Sequence, residues 1–532
     1  MYLSLTVFNE RLSDVLCGAS LGFCKKIPIH LAKRAVLWYS DISRGGDARV
    51  GLYLICPKEI TMLPTPKNYA IYPSVIPADR EVELIIAPTE KAFLLIEGEE
   101  YDIGITSVNA DEPNYHKSET CRYLKATAHD GVLRFTYTFP GEMEHLVFLS
   151  HGETKMQEFN VYSLKEDLYR LRPLRGDFHS HSYRSDGKRD PAALAGHFRE
   201  QGYDFFALTD HNRYYPGREI DETYAGVKMG LTRVFGEEVH APGSVVHIVH
   251  VGGKSSVADL YVHDREGYEA AIADYMTKVP AHVPEEFRLR YACCMWVTDR
   301  IHEAEGLAIF AHPYWAPGGS RLYNVTDEYA KLLLESGMFD AYELVGGMGQ
   351  VGINRSIALW ADLRVEGLKI SVVGSSDVHG LEKAATFPYL FTICFAEENE
   401  NGSIIEAVKN GRSVAVEMTN DEYARHYRCY GSLRLVSYAQ FLLRTYFPAM
   451  ARIEQGEGVA MRAYAVGEAE AQLIELQAQL ADNFRQRFFG QMPPALPTPA
   501  MLAFEDKWRA VHLNGPVSKG SLVYTDKVNR QI

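Results

Sequence analysis

Residues 190–212 read DPAALAGHFREQGYDFFALTDHN, and the order of signals within them points to the fold. Asp190-Pro191 is a helix start, with Asp as N-cap and Pro at the first helical position, and Leu194 and Phe198 carry the apolar spacing of a helix. Gly202 stops that helix. Phe205-Phe206-Ala207-Leu208 has the length of a short buried strand, and Asp210-His211 sits just beyond its carboxyl end. The unit recurs twice. Arg300 to Glu305 reads as helix, Gly306 as its stop and Leu307 to Phe310 as strand, with His312 following. Arg355 to Val365 reads as helix, Gly367 as its break and Ile370 to Val373 as strand, with Asp377 and His379 following. Such alternation predicts a parallel α/β barrel, whose strand carboxyl ends share one face and bring sequence-distant side chains together.

Around these units lie nine metal-ligating side chains: His179, His181, Asp186, His211, Glu238, His247, His312, Asp377 and His379. Imidazole plus carboxylate is the ligand set of Zn, Mn or Fe(II), and nine ligands exceed what one ion takes. In His179-x-His181 and Asp377-x-His379 the partners are two residues apart, so in extended backbone both point to one face and can grip one ion. Six histidines buried together without metal would lack partners. Two positions have a rival neighbour. Alternation lets only one of Glu237 and Glu238 face the site, and likewise only one of His247 and His250. His197, on a helix, and His240, in a loop, have no such spacing and read as ordinary surface or core residues.

Composition frames the motif. A chain of 532 residues with 46% hydrophobic content can bury more than one core. Asn9, Glu10, Arg11 and Asp14 interrupt the opening stretch where a secretory peptide needs an apolar run, and no run of about 20 apolar residues occurs, so a cytoplasmic location is expected. Eight cysteines lie at wide intervals without a C-x-x-C pair, which indicates neither a disulfide framework nor a thiolate zinc site. The adjacent Cys293 and Cys294 read as small buried residues. A net charge of -14 argues against nucleic acid and anionic membranes as partners and leaves a small anionic substrate held by metal ions.

Three zones follow along the chain. Residues 1–165 carry period-two alternation, as in Val132 to Phe139 and Glu81 to Leu84, and are expected to form an antiparallel β-sandwich without chemistry of its own. Residues 170–418 hold the barrel. Residues 419–532 are expected to be helical, with stripes at Leu433, Leu435, Tyr438, Phe441 and Leu442 and at Leu473, Leu476, Leu480, Phe484 and Phe488, and a last short helix around Phe504 to Val511. The stripes read as packing faces against the rest of the chain, with a homo-oligomer contact as the alternative.

The series His179-x-His181, Ser185-Asp186-Gly187, Thr209-Asp210-His211-Asn212, Gly236-x-Glu238, His247-Ile248-Val249, Ala311-His312-Pro313 and Ser376-Asp377-x-His379 resembles the motifs of the PHP family (polymerase and histidinol phosphatase domains) over about residues 172–418. The resemblance implies a distorted (β/α)7 TIM-like barrel holding two or three divalent metal ions (Mn, Zn or Fe) and hydrolysis of phosphate esters. Carried over position by position, it implies a first ion on His179, His181, Glu238 and Asp377. Glu238 would bridge to a second ion on His247 and His312, and Asp186, His211 and His379 would hold a third. It also selects Glu238 over Glu237 and His247 over His250.

The chemistry expected is metal-assisted hydrolysis, in which paired ions about 3.5 to 4 Å apart lower the pKa of water towards about 7 and neutralise phosphoryl oxygens. Asp210 is a candidate acid for the leaving group, with orientation of a ligand imidazole as its other role. Arg184, Arg213 and Arg355 are candidates for phosphate recognition through the guanidinium fork. Gly347-Met348-Gly349-Gln350-Val351-Gly352 is formally G-x-G-x-x-G after a strand, but it falls inside the metal-motif series, and a lone glycine pattern is weak. That loop can instead let substrate approach, with Glu343 or Asn354 lining the cleft. The leading expectation is thus a phosphoesterase of a small phosphorylated substrate. A nuclease or non-phosphate metallohydrolase and an inactive metal-binding interaction protein are the alternatives.

Overall fold

The structure is a computed structural model that describes residues 36–38, 51–53, 67–109, 121–320, 322–381, 386–420 and 425–512. The opening residues that argued against a leader, and most of the chain before residue 67, lie outside the described residues. A two-stranded antiparallel ribbon, Val36–Trp38 with Gly51–Tyr53, belongs to a unit of its own. All described residues from Lys67 onward belong to a second unit.

That larger unit begins with strands Tyr69–Tyr72, Val75–Pro77, Glu81–Pro88, Glu100–Ser107, Arg122–His129, Val132–Thr138, Met143–His151 and Thr154–Leu164. Where two sheets were expected, the eight strands form one continuous curled sheet. The tight turn at Asp130-Gly131, both at positive φ, keeps Ala128 paired to Leu133 and the two halves continuous. The curl brings the ends together: Tyr69 N donates to Gln157 Oε1 at 3.0 Å and Gln157 Nε2 donates to Tyr69 O at 2.5 Å. Alternating residues such as Ile86, Ile103, Leu133, Val147 and Val161 fill its interior.

A second sheet carries the candidate ligands. Its strands are β1 (Arg172–Asp177), β2 (Phe205–Leu208), β3 (Thr232–Val239), β4 (Ile248–Val251), β5 (Leu307–Phe310), β6 (Ala341–Val345), β7 (Ser371–Gly374), β8 (Leu390–Ala396), β9 (Ser413–Asn420) and β10 (Arg425–Tyr430). Their order is β7-β6-β5-β4-β3-β2-β1-β8-β9-β10. Beyond β7, Asp377 N donates to His179 O and His181 N to Val378 O, each at 2.9 Å, so the chain after β7 runs beside the chain after β1. The sheet is thereby a nearly closed barrel. One strand departs from the expected uniform direction. β4 is antiparallel to both β3 and β5, because residues 240–247 are too few for the helical crossover that a parallel return requires.

Helices cover the barrel: α1 (Pro191–Glu200), α2 (Pro216–Thr223), α3 (Arg265–Lys278), α4 (Arg288–Glu303), α5 (Asp327–Glu335), α6 (Gln350–Val365) and α7 (Asn401–Lys409). Asp190 caps α1, its side chain accepting from Ala193 N at 2.9 Å, with Pro191 first in the helix. Four more helices follow: α8 (Leu433–Thr445), α9 (Phe447–Ala465), α10 (Ala471–Phe488) and α11 (Pro499–His512). On α8, Leu435, Tyr438, Phe441 and Leu442 pack inward while Leu433 is exposed. On α10 the expected stripe is offset. Leu473, Leu476 and Leu480 are exposed, whereas Ile474, Ala481 and Phe488 are buried at seven-residue spacing, because α10 presents only a narrow seam to its neighbours.

The C-terminal helices share one core with the barrel and the first sheet, joining Tyr162 and Leu164, Phe198 and Phe206, and Tyr438 and Phe441. Arg199 of α1 is buried between two carboxylates of α9, its Nε 2.8 Å from Glu457 and its Nη1 2.9 Å from Glu454. Arg434 of α8 binds both Glu142 and Asp167. Cys293 and Cys294 are buried and unpaired. Among the described residues no helix is long and apolar enough to cross a membrane.

Candidate metal centre

The candidate ligands sit where strands end. His179 and His181 follow β1, His211 follows β2, Glu238 lies near the end of β3, and His247 immediately precedes the reversed β4. His312 follows β5, and Asp377 and His379 follow β7. Three non-glycine residues here, Asn212, His312 and Asp377, have positive φ of 53°, 21° and 50°. Side-chain direction at these positions is therefore set by strained bends and not by strand pleating.

Glu238 is the hub. Its Oε2 lies 2.7 Å from His211 Nδ1, 3.4 Å from His179 Nε2 and 3.5 Å from His181 Nε2. Its Oε1 lies 2.9 Å from His247 Nδ1, 3.1 Å from His312 Nε2 and 3.4 Å from His240 Nε2. Asp377 Oδ1 is 3.0 Å from His181 Nε2 and 3.4 Å from His179 Nε2. Asp186 is 3.3 Å from both His211 Nε2 and His379 Nε2. Four overlapping sets have ligand atoms within 4.8 Å of one another: His181, Asp186, His211 and His379; His179, His181 and Asp377; His179, Glu238 and His312; and His211, Glu238 and His240. These sets hold eight of the nine candidates, and the ninth, His247, lies 2.9 Å from Glu238. The structure adds His240, which the sequence reading set aside.

This donor set fits cations. Glu238 and His179 are fully buried, yet His179 Nε2, His211 Nδ1, His240 Nε2, His247 Nδ1 and Glu238 Oε2 have no hydrogen-bond partner. Buried polar atoms left without a partner cost about 1 to 3 kcal/mol each, a cost that an ion shared among them would relieve. Charge agrees. Burial alone would push His179 down, but Asp377, Glu238 and Glu343 outweigh it and hold it well above its ordinary value. Burial drives His181 and His247 down to about 4. Burial opposes ionisation of Glu238 and Asp377, and the surrounding imidazoles overcome it and hold both carboxylates below their ordinary range. The carboxylates thus hold His179, and likewise His211 and His312, towards the protonated form while burial keeps His181 and His247 neutral, so a divalent ion entering this set would displace protons.

Other residues orient the set. Glu343 of β6, fully buried, is 2.9 Å from His179 Nδ1, which fixes that ring with Nε2 towards Glu238 and Asp377. Glu237 and His250 pair with each other at 3.1 Å, on the side of β3 and β4 away from Glu238, and Glu237 also accepts from Ser256 Oγ at 2.7 Å and Val257 N at 2.6 Å. Asp210 touches no imidazole by hydrogen bond. It accepts from Ser182 N and Oγ and from Ser185 Oγ, and burial pushes it up. It thereby pins the 182–185 loop. The glycine pattern has a local cause too, since a Cβ on Gly347 would stand 1.9 Å from Asp377 Oδ2.

The three arginines are engaged elsewhere. Arg184 forms a two-pronged pair with Glu219, Nε to Oε1 at 2.7 Å and Nη2 to Oε2 at 3.0 Å. Arg213 donates to the backbone carbonyl of Arg184, and Arg355 pairs with Asp327 beside Tyr314 and Tyr323. A cavity of about 750 Å³ lined by Tyr214, Arg218, Lys254, His302 and Lys409 includes none of the nine candidates.

No family model matches the chain, and no curated protein matches it in sequence. Among solved structures it is similar to a two-domain protein from Bacteroides vulgatus containing a predicted PHP-like metal-dependent phosphoesterase, at 18% identity and a TM-score of 0.32 over 46% of this chain and 65% of that one, just under two thirds of its length. It is similar to a protein from Bifidobacterium adolescentis named as a metal-dependent phosphoesterase, at 19% identity and a TM-score of 0.29 over 39% of this chain and 88% of that one. It is also similar to an amidohydrolase from Chromobacterium violaceum with bound sulfate and no metal, at 18% identity and a TM-score of 0.27 over 40% of this chain and 89% of that one.

Proposed function

We propose that the protein is a metal-dependent hydrolase that cleaves a phosphate ester in a small substrate. The observation that carries the hydrolase reading is the convergence of six imidazole nitrogens within 3.5 Å of the two oxygens of buried Glu238. A carboxylate has about four lone-pair sites, so six nitrogens exceed what hydrogen bonding to it could employ. Divalent ions held by His179, His181, Glu238 and Asp377, by His247 and His312, and by Asp186, His211 and His379 would supply Lewis acidity and activate water at neutral pH. The chain's own groups do the positioning. Glu343 aims His179, and Asp210 ties down the loop between His181 and Asp186. Asp186, 54% exposed, and His379, 38% exposed, mark the side open to an incoming substrate.

The ester rests on the motif resemblance, and the pairing of Arg184 with Glu219 and of Arg355 with Asp327 favours a second reading, a metallohydrolase of a non-phosphate bond. One experiment separates the two. Protein with assayed metal content is screened against phosphomonoesters, phosphodiesters, amides and lactones with Mn(II) or Zn(II). Phosphate release is expected, and it should fall at least about a hundredfold in Asp377→Asn. Turnover of amides or lactones alone would establish the second reading, and no metal binding would remove both.

A further inference from the structure

We propose that His240 is itself a metal ligand, sharing an ion with Glu238 and with His211 Nδ1 while His211 Nε2 serves the ion beside Asp186, an inference that rests on the metal-centre reading above. His240 lies one residue beyond β3 and two after Glu238, so the turn of the strand's last pleat leaves both side chains on the same side. Its Nε2 is 3.4 Å from Glu238 Oε1, and it forms with His211 and Glu238 a set whose ligand atoms lie within 4.8 Å of one another.

The position is built and not incidental. The His240 backbone N–H donates to Asn212 Oδ1 at 2.7 Å, and Tyr261 Oη donates to the same oxygen at 2.5 Å. Asn212 N in turn donates to Glu238 O at 2.9 Å. Asn212 directly follows His211 and has φ of 53°, so one strained residue ties the backbones of all three members of the set together. The His240 ring stacks on that of His247 at 3.8 Å, with 28° between the planes, which fixes its orientation. The rival explanation is a simple hydrogen bond to Glu238. However, although 30% of the side chain is exposed, Nε2 is shielded from solvent and has no hydrogen-bond partner, Glu238 included. Coordination satisfies that nitrogen, and a hydrogen bond in this geometry does not.

The test uses the full chain loaded with Co(II) and then with Zn(II). Ion content after desalting, affinity by competition with a chromophoric chelator, and the visible absorption of the Co(II) form are compared for wild type, His240→Ala and His240→Gln. The expected result is loss of one ion equivalent, or at least about tenfold weaker binding of one ion, with an altered Co(II) spectrum in both variants. Added imidazole should restore the spectrum in His240→Ala, and circular dichroism should stay at wild type. Wild-type stoichiometry, affinity and spectrum in both variants would overturn the role of His240 alone. A wild-type protein that takes up neither ion would overturn the metal centre and this inference together.

Discussion

At the scale of single residues, the site couples each buried charge to another that sets its direction. Glu343 carries this furthest, because its carboxylate faces His179 Nδ1 at 2.9 Å while His179 Nε2 looks towards Glu238 and Asp377. Glu343→Gln keeps the shape and removes the charge. It is expected to weaken metal binding about 10- to 100-fold, read by chelator competition, with little change in thermal stability of the metal-free protein. Much of the cluster was legible in the chain. His179-x-His181 announces itself by i, i+2 spacing, whereas the bend at Asp377, φ 50°, sends Asp377 to His179 and His181 and leaves His379 with Asp186 and His211, so that pair does not share one grip as expected. The structure sets Glu238 with His247 and Glu237 with His250 on opposite sides of their strands. The same spacing holds in Glu238-x-His240, but His240 lies past the end of β3 in a loop, where the sequence does not assure the extended backbone that the rule needs. The arginine partners were not legible, since Glu219 lies 35 residues from Arg184, Asp327 lies 28 from Arg355 and the carbonyl of Arg184 lies 29 from Arg213, and nothing local marks such a tertiary pairing.

At the scale of elements, local signals worked where chain direction followed from an intervening helix. Strands Phe205–Leu208, Leu307–Phe310 and Ala341–Val345 run as their apolar length indicates, and α1 opens at its Asp-Pro cap. The reversal of β4 and the offset face of α10 depend on what packs against them, which periodicity alone does not encode. In the first sheet, His145 illustrates an element-level consequence. It is buried on Met143–His151 with Nε2 2.9 Å from Ser163 Oγ, and burial pushes it down to about 4 from an ordinary 6.5. The unfolded chain therefore takes up this proton first as the pH falls, so the contribution is intact above about 6.5 and is lost between there and about 4. His145→Gln should lose less stability than wild type across that window, measured as the difference in thermal midpoint at each pH.

At the scale of the whole molecule, one core joins the C-terminal helices to a flank of the barrel and to Val75, Tyr162 and Leu164 of the first sheet, and Arg199 is the polar element that fastens α1 to α9. With 2% exposure of its side chain, replacing it leaves Glu454 and Glu457 buried without a counter-charge. Arg199→Met is expected to destabilise the fold by about 3 to 5 kcal/mol, seen as a lowered midpoint in urea or heat, while adding Glu454→Gln should recover part of the loss. The reversed β4 has a consequence at this scale as well. A strand running with its neighbours lends one end to the face that carries the candidate ligands and hides the other. The hairpin from β3 to β4 instead plants both of its feet there, with His240 at one and His247 at the other. Tyr268 Oη donates to Pro242 O and Asn324 Nδ2 to Val245 O, each at 2.6 Å, so the loop that joins the two feet is itself anchored and both imidazoles hang from one braced hairpin.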